Sequence, residues 1–161
     1  DKNAIEKMSY AQYIAGMGFS NVGLGIVHSM AHQLGAVYDT PHGIANAIIL
    51  PTVMEYNASV TGEKYKHIAA AMGVEGVDKM SVEEYRQAAI DAVKKLAVII
   101  KMASMMNITG SNSIKDVACD VLGDTVILKT EVEKDATLEI SQAMTIAGDF
   151  RKVYGKNLQI L

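Results

Sequence analysis

Apolar residues recur at helical spacing through the first two-thirds of the chain and predict a series of amphipathic helices. The pattern is most regular after Ser81, which together with Glu84 has the spacing of a capping box at a helix start. The expected core face of this longest helix comprises Val82, Tyr85, Ala89, Ala92, Val93, Leu96, Ile99 and Ile100. Other helices are predicted over residues 2–17, 26–37, 41–57 and 61–73.

The predicted third helix carries both prolines of the chain. Thr40 is expected to cap its free backbone N–H groups, with Pro41 at the first helical position, where a missing N–H costs nothing. Pro51 falls inside the helix and is expected to kink it. The preceding segment, residues 26–37, is apolar on nearly all sides, which predicts a helix buried at the centre of a bundle.

The last third of the chain has a less regular pattern. Residues 113–122 and 136–154 are predicted to form short helices, whereas residues 126–132 fit either a strand or a buried connection. No internal repeat, low-complexity tract or linker divides the sequence. The pattern therefore predicts one all-α domain, a multi-helix bundle that spans residues 1–161.

Composition and charge exclude several classes of protein. Half of the 161 residues are hydrophobic and a fifth are charged, which is typical of a globular protein. A net charge of −3 without a basic stripe gives no footprint for nucleic acid, and no apolar run, that of residues 96–100 included, is long enough to span a membrane. The single cysteine, Cys119, excludes an internal disulfide, favours a cytoplasmic location and is expected to be a buried, inert thiol.

Three of the four histidines fall within fifteen residues and form the strongest candidate site. His28 and His32 are four residues apart, so they share one face of a helix. His42 lies at the start of the next helix, where the helix dipole disfavours a protonated ring and so favours the neutral form that binds metals. Zinc, iron, copper and nickel all accept imidazole ligands. The alternative is that these are buried structural histidines bonded to backbone carbonyls.

Other motifs that carry chemistry are incomplete. Ser29 stands where a zinc-protease motif beginning at His28 would need its glutamate. Gly23 and Gly25 begin a dinucleotide-binding fingerprint, but His28 stands where its third glycine belongs and no strand precedes it. A second carboxylate–histidine pair, Glu63 and His67, has helical spacing but fits a solvated helix face better.

Three segments resemble the iron-containing alcohol dehydrogenases, and among these the lactaldehyde reductase and 1,3-propanediol dehydrogenase group. These segments are residues 13–28, residues 30–35 (Met-Ala-His-Gln-Leu-Gly) and residues 41–47 (Pro-His-Gly-Ile-Ala-Asn-Ala). The resemblance is strong over residues 4–57, moderate to about residue 101 and weak beyond. It implies the C-terminal, helical metal-binding domain of that family, without the α/β domain that binds NAD(P).

The resemblance also implies a role for each site residue. His28 and His42 match two metal ligands, His32 matches the histidine that faces the substrate and the nicotinamide, and Phe19 matches an aromatic residue of the substrate pocket. The metal is expected to be Fe²⁺, with zinc as the alternative. The remaining Asp and His ligands of the family are not in this sequence, so the chain by itself is predicted to be inactive.

The implied function is NAD(P)-dependent and metal-dependent oxidation of small alcohols and diols, or reduction of small aldehydes. The resemblance further implies a homo-oligomer of at least two copies. A different hypothesis is a non-catalytic helical interaction module whose histidines are structural.

Overall fold

The computed structural model describes all 161 residues, which form seven α-helices and one three-stranded sheet. The helices are α1 (Lys2–Val22), α2 (Ile26–Tyr38), α3 (His42–Asn57), α4 (Lys64–Ala71), α5 (Val82–Met105), α6 (Thr137–Met144) and α7 (Ala147–Tyr154). The strands are β1 (Ile114–Leu122), β2 (Thr125–Val132) and β3 (Asn157–Ile160). The fold is mainly helical, but the predicted all-α class is wrong for the last third. No helix combines the length and apolar character that a bilayer crossing requires.

Helices α1 and α2 lie at the surface with little burial. The carboxylate of Asp1 caps α1 by accepting a hydrogen bond from the backbone N–H of Asn3 at 2.9 Å. No residue of α1 is buried, and α2 buries only Ala31. The prediction that α2 lies at the centre of a bundle is therefore wrong, because most of its apolar side chains have no partner in this chain.

Helix α3 connects two of the three hydrophobic clusters. Ala45, Ile49 and Val53 join Ala31 in one cluster, and Met54 near the C-terminus of the helix belongs to the next. Pro41 occupies the N-cap position and no side chain caps the helix, so the predicted cap by Thr40 is wrong. Pro51 lies inside the helix, as expected, and is buried.

Helix α5 begins as predicted. The backbone N–H of Ser81 donates to Glu84 Oε2 at 2.7 Å, and the backbone N–H of Glu84 donates to Ser81 Oγ at 3.3 Å, so the capping box is confirmed. The first half of α5 packs on α3 and α4. The cluster formed there comprises Met54, Tyr65, Ala69, Val77, Tyr85, Ala89, Ile90 and Val93.

The buried side of α5 turns around the helix axis along its length. Tyr85, Ala89 and Val93 are buried as predicted, but Val82, Leu96, Ile99 and Ile100 are between 38% and 45% exposed. Farther along, Val98 and Met102 are buried against the elements of the last third instead. A single periodic face could not anticipate this turn, because the two halves of α5 pack on different partners.

A β-hairpin follows α5, where a helix was predicted over residues 113–122. Strands β1 and β2 are antiparallel, with Leu122 paired to Thr125 across a turn in which Gly123 has φ of 57°. The predicted helix is therefore wrong, whereas the strand alternative for residues 126–132 is confirmed. The sequence signal was the Gly-Asp pair between two runs rich in β-branched residues.

Helices α6 and α7 cross over from β2 to the parallel strand β3. A single helix was predicted over residues 136–154, but Thr145 and Ile146 separate two short ones. Both helices and the sheet close over the second half of α5. The resulting cluster comprises Val98, Met102, Val126, Leu128, Ala143, Ile146, Phe150, Leu158 and Ile160.

Candidate metal centre

The crossing of α2 and α3 brings the histidine-bearing segments together. Ala31 on α2 and Ala45 on α3 have no exposed surface and belong to one hydrophobic cluster. Small residues at a crossing allow two helices to approach closely. Asp39 ends α2 in the left-handed region, with φ of 54°, and its N–H donates to the carbonyl oxygen of Gly35 at 3.0 Å. The chain thus reverses within a few residues and returns His42 to the α2 surface.

All three predicted histidines converge. The ring centroids of His28 and His42 are 5.4 Å apart, those of His32 and His42 are 5.2 Å apart, and those of His28 and His32 are 6.3 Å apart. His28 is half-buried, whereas His32 and His42 are exposed. The sequence prediction of a histidine cluster is therefore matched in space, but the cluster lies at the surface and not inside a bundle.

Ring separations in the cluster are compatible with a shared metal ion. When two imidazole rings bind one metal ion, each through a nitrogen about 2 Å from the metal, their centroids lie roughly 5 Å apart. The His28–His42 pair, at 5.4 Å, and the His32–His42 pair, at 5.2 Å, both have about this separation. The planes of His28 and His42 are tilted by 42°, and those of His32 and His42 are stacked at 25°. His28 and His42 are thus close enough to share a metal ion, with His32 beside them.

Asn46 is a site residue that the sequence prediction missed. It lies one helical turn after His42, and its Nδ2 is 2.9 Å from His42 Nε2, which orients the imidazole ring. Its Oδ1 is buried and has no hydrogen-bond partner. The spacing of four residues on a helix was the available signal. Because an amide NH2 can only donate, His42 Nε2 accepts here, and a metal bound at this nitrogen would have to displace the Asn46 amide.

Phe19 approaches the cluster from the end of α1. Its ring centroid is 5.8 Å from that of His28, with the planes tilted by 45°. This contact lets α1, which buries nothing elsewhere, contribute an apolar wall beside the histidines. Phe19 keeps 42% of its surface exposed, so the wall is open to solvent.

No other group in the chain forms a comparable site. No set of three or more His, Cys, Asp and Glu side chains, the three clustered histidines included, is arranged to hold a metal ion. Glu63 and His67 form neither an ion pair nor a side-chain hydrogen bond, although both lie on one helical turn. Cys119 is exposed on β1, so the prediction of a buried thiol is wrong.

Comparison with known sequences defines the class of this protein. Residues 1–147 match the family described as "Fe-containing alcohol dehydrogenase family, C-terminal". The match covers most of the chain and extends past the segment over which the sequence motifs were strong. The chain belongs to the Fe-containing alcohol dehydrogenase family.

Curated relatives agree with this assignment. The lactaldehyde reductase of Escherichia coli strain K12 is 67% identical over 93 residues, which are 58% of this chain and 24% of that protein. The 1,3-propanediol dehydrogenase of Citrobacter freundii is 48% identical over 97 residues, which are 60% of this chain and 25% of that protein. The NADPH-dependent butanol dehydrogenase of Clostridium saccharobutylicum is 49% identical over 96 residues, with coverages of 60% and 24%.

These matches confirm the resemblance seen in the motifs. The chain spans about a quarter of the length of these relatives.

Proposed function

We propose that this chain contributes His28 and His42 as two metal ligands of an NAD(P)-dependent alcohol dehydrogenase. The observation that carries the proposal is the convergence of these rings at 5.4 Å, a separation that two ligands of one metal ion can have. Family membership makes Fe²⁺ the expected metal, with zinc as the alternative. A bound divalent metal would supply Lewis acidity at the substrate oxygen and so ease loss of hydride to the nicotinamide.

Residues around the two ligands have complementary roles in this proposal. The exposed ring of His32 accepts the alcohol proton and passes it to solvent, and it faces the nicotinamide. Phe19 provides an apolar surface beside His28 for a short carbon chain. The substrates are small alcohols, diols or aldehydes, in line with the names of the relatives. The α/β domain of the family is expected to make most NAD(P) contacts.

Two features favour this proposal over an interaction module with structural histidines. Structural histidines are expected to be buried and to bond backbone carbonyls. His32 and His42 are exposed, and the one side-chain hydrogen bond in the cluster joins His42 to the amide of Asn46. The ring of His32 therefore remains available to a ligand, and His42 Nε2 becomes available when the ligand displaces the Asn46 amide.

The proposal is tested by metal content. The purified chain, His28→Ala and His42→Ala are incubated with Fe²⁺ under anaerobic conditions or with Zn²⁺, desalted, and analysed by mass spectrometry of the elements. His67→Ala serves as the matched control, since His67 is exposed on α4, outside the cluster. Each cluster variant is expected to retain at least tenfold less metal than the wild type and the control. Equal retention in all four proteins contradicts the proposal.

A second measurement concerns activity. Two histidines are fewer ligands than the three that catalytic metal sites normally draw from protein. We therefore expect no turnover when the purified chain is given metal, propane-1,2-diol and NAD, measured as NADH absorbance. Turnover above that of His42→Ala would show that this chain holds a complete site.

Location and assembly complete the proposal. A cytoplasmic enzyme is favoured because the single cysteine cannot form an internal disulfide. At least two copies are expected to associate, as the family resemblance implies.

A further inference from the structure

The outer edge of β1 is an unpaired strand edge of nine residues. β1 lies at one end of the sheet and hydrogen-bonds only to β2. All of its residues after Ile114 are exposed. An unpaired edge presents backbone donors and acceptors that can template another strand.

The hydrogen bonds of β2 determine which groups of β1 point outward. The Thr130 N–H donates to the carbonyl oxygen of Leu161, so Thr130 directs its backbone groups to the β3 side. Thr130 is paired with Val117 in the register. Because backbone groups alternate along antiparallel strands, Val117, Cys119 and Val121 present their N–H and C=O groups to the free edge. Consistently, the Val117 N–H is bonded at 2.9 Å to the carboxylate of its neighbour Asp116.

The same three residues extend the apolar face of the sheet. Cys119 is paired with Leu128 and Val121 with Val126, and both β2 residues are buried in the cluster beneath α6 and α7. Paired residues share a face, so Val117, Cys119 and Val121 lie on the core side of the sheet, where β1 remains uncovered. Val117 is 39% exposed and Val121 is 58% exposed. The free edge therefore combines unpaired backbone groups with an uncovered apolar strip.

We propose that β1 pairs antiparallel with β1 of a second copy of this chain, with the two-fold axis at Cys119. In this register Val117 faces Val121 of the second copy, and Cys119 faces Cys119. Six backbone hydrogen bonds form, and the two apolar strips become continuous across a six-stranded sheet. The proposal is independent of the metal site.

Charge and strand regularity favour this register over those centred at Val117, Ala118 and Asp120. With the axis at Cys119, Asp116 faces Leu122 and Asp120 faces Ala118 of the second copy, so no like charges lie directly opposite each other, and Asp116 and Asp120 are only diagonal neighbours. An axis at Ala118 would place Asp116 opposite Asp120, and an axis at Asp120 would place its two copies face to face; both are unfavourable. An axis at Val117 would draw the irregularity between Ile114 and Asp116 into the pairing.

The register makes a geometric prediction about Cys119. Residues in a hydrogen-bonded antiparallel pair have Cα atoms about 5.5 Å apart, which is within the usual range for a disulfide. Two thiols of facing Cys119 residues can therefore be oxidised to one S–S bond, with two electrons and two protons transferred to an added oxidant such as diamide. Residue 118 lies on the opposite face of the sheet, and in this register it faces residue 120 of the second copy. A cysteine at position 118 is therefore offset by two residues from the same cysteine in the second copy and is poorly placed to form a disulfide with it.

The experiment compares cross-linking and association in the full chain. Dilute protein is treated with diamide, and disulfide-linked dimer is quantified over time. Wild type is expected to cross-link at least tenfold faster than the control Cys119→Ser with Ala118→Cys, in which the thiol is also exposed. Equal cross-linking rates in the two proteins would mean that the disulfides form by chance collision of exposed thiols, and this would overturn the proposed register.

Sedimentation equilibrium without oxidant tests the pairing itself. Val121→Pro removes an outward N–H that β2 does not use, so the hairpin should persist while two intermolecular hydrogen bonds are lost. We expect the dimer to weaken by at least about tenfold with an unchanged circular dichroism spectrum. Asp116→Ala releases the Val117 N–H and is expected to strengthen association. The proposal is overturned if the wild type is purely monomeric. It is also overturned if Val121→Pro leaves the dimer unaffected, and that result would assign association to another face, such as α1.

Discussion

Ala45 is the position at which a packing change should reach the histidine cluster most directly. It has no exposed surface at the crossing of α2 and α3, and it lies one turn after His42 on α3. Leucine at this position adds three carbon atoms to a filled space, which costs about 1–3 kcal/mol of folding free energy. Larger side chains at a helix crossing also widen the axis separation within a range of about 8–10 Å.

This widening sets the expected effect on the metal site. An opening of about 1 Å moves the His42 ring away from His28, whereas metal–ligand distances vary by only about 0.2 Å. Ala45→Leu is therefore expected to lower metal affinity at least tenfold. Ala45→Gly is the matched variant, because it loses about 0.8 kcal/mol of burial and about 1 kcal/mol of helix propensity without any need to separate the helices.

The assay pairs urea denaturation, followed by circular dichroism, with competitive Zn²⁺ titration of the folded protein. Both variants should lose a similar 1–3 kcal/mol of unfolding free energy, but only Ala45→Leu should lose metal affinity. If leucine leaves the affinity at the wild-type value, the alanine crossing does not position the ligands. If glycine reduces it as strongly, then lost stability rather than helix separation explains the effect.

Two further predictions test the fold. Ile146→Ala removes a side chain with no exposed surface and should lower the free energy of unfolding by about 2–5 kcal/mol. The control Ile5→Ala, at a residue that is 67% exposed, should change it by less than about 0.5 kcal/mol. Equal effects of the two substitutions in urea denaturation would contradict the described core. The hydrogen bond from the Ser81 backbone N–H lowers the pKa of Glu84 below its ordinary value. The ionised carboxylate of Glu84 therefore stabilises the fold above its unfolded pKa of about 4.3, and this stabilisation is lost as pH falls through the lower folded pKa. The stability advantage of wild type over Glu84→Gln should accordingly shrink below about pH 4. An NMR titration that places the folded pKa of Glu84 at or above 4.3 would refute this reasoning.

The strands were harder to predict than the helices because their apolar pattern is ambiguous. Ile114, Val117, Val121 and Leu122 have helical spacing, yet they lie in β1. Nearly all of this strand is exposed, so burial does not impose an alternating pattern on it. Its conformation depends on pairing with β2, and the crossover to β3 depends on contacts far along the chain.

Helix burial was misjudged for a related reason. The apolar residues of α2 predict a buried helix, but in this chain only Ala31 is fully enclosed. A sequence pattern reports which side chains favour burial and does not report whether another element is present to cover them. The same distinction explains the exposed Leu96 and Ile99 on α5.

Local chemistry alone determined the helical start at Ser81, the shared helix face of His28 and His32, and the motifs that place the chain in its family. These features depend on residues within one or two helical turns of each other, where spacing translates directly into proximity. Tertiary structure decided the tilt of His42 towards His28, the contact of Asn46 with that ring and the free edge of β1. Each of these depends on how separate segments pack, which spacing along the chain does not specify.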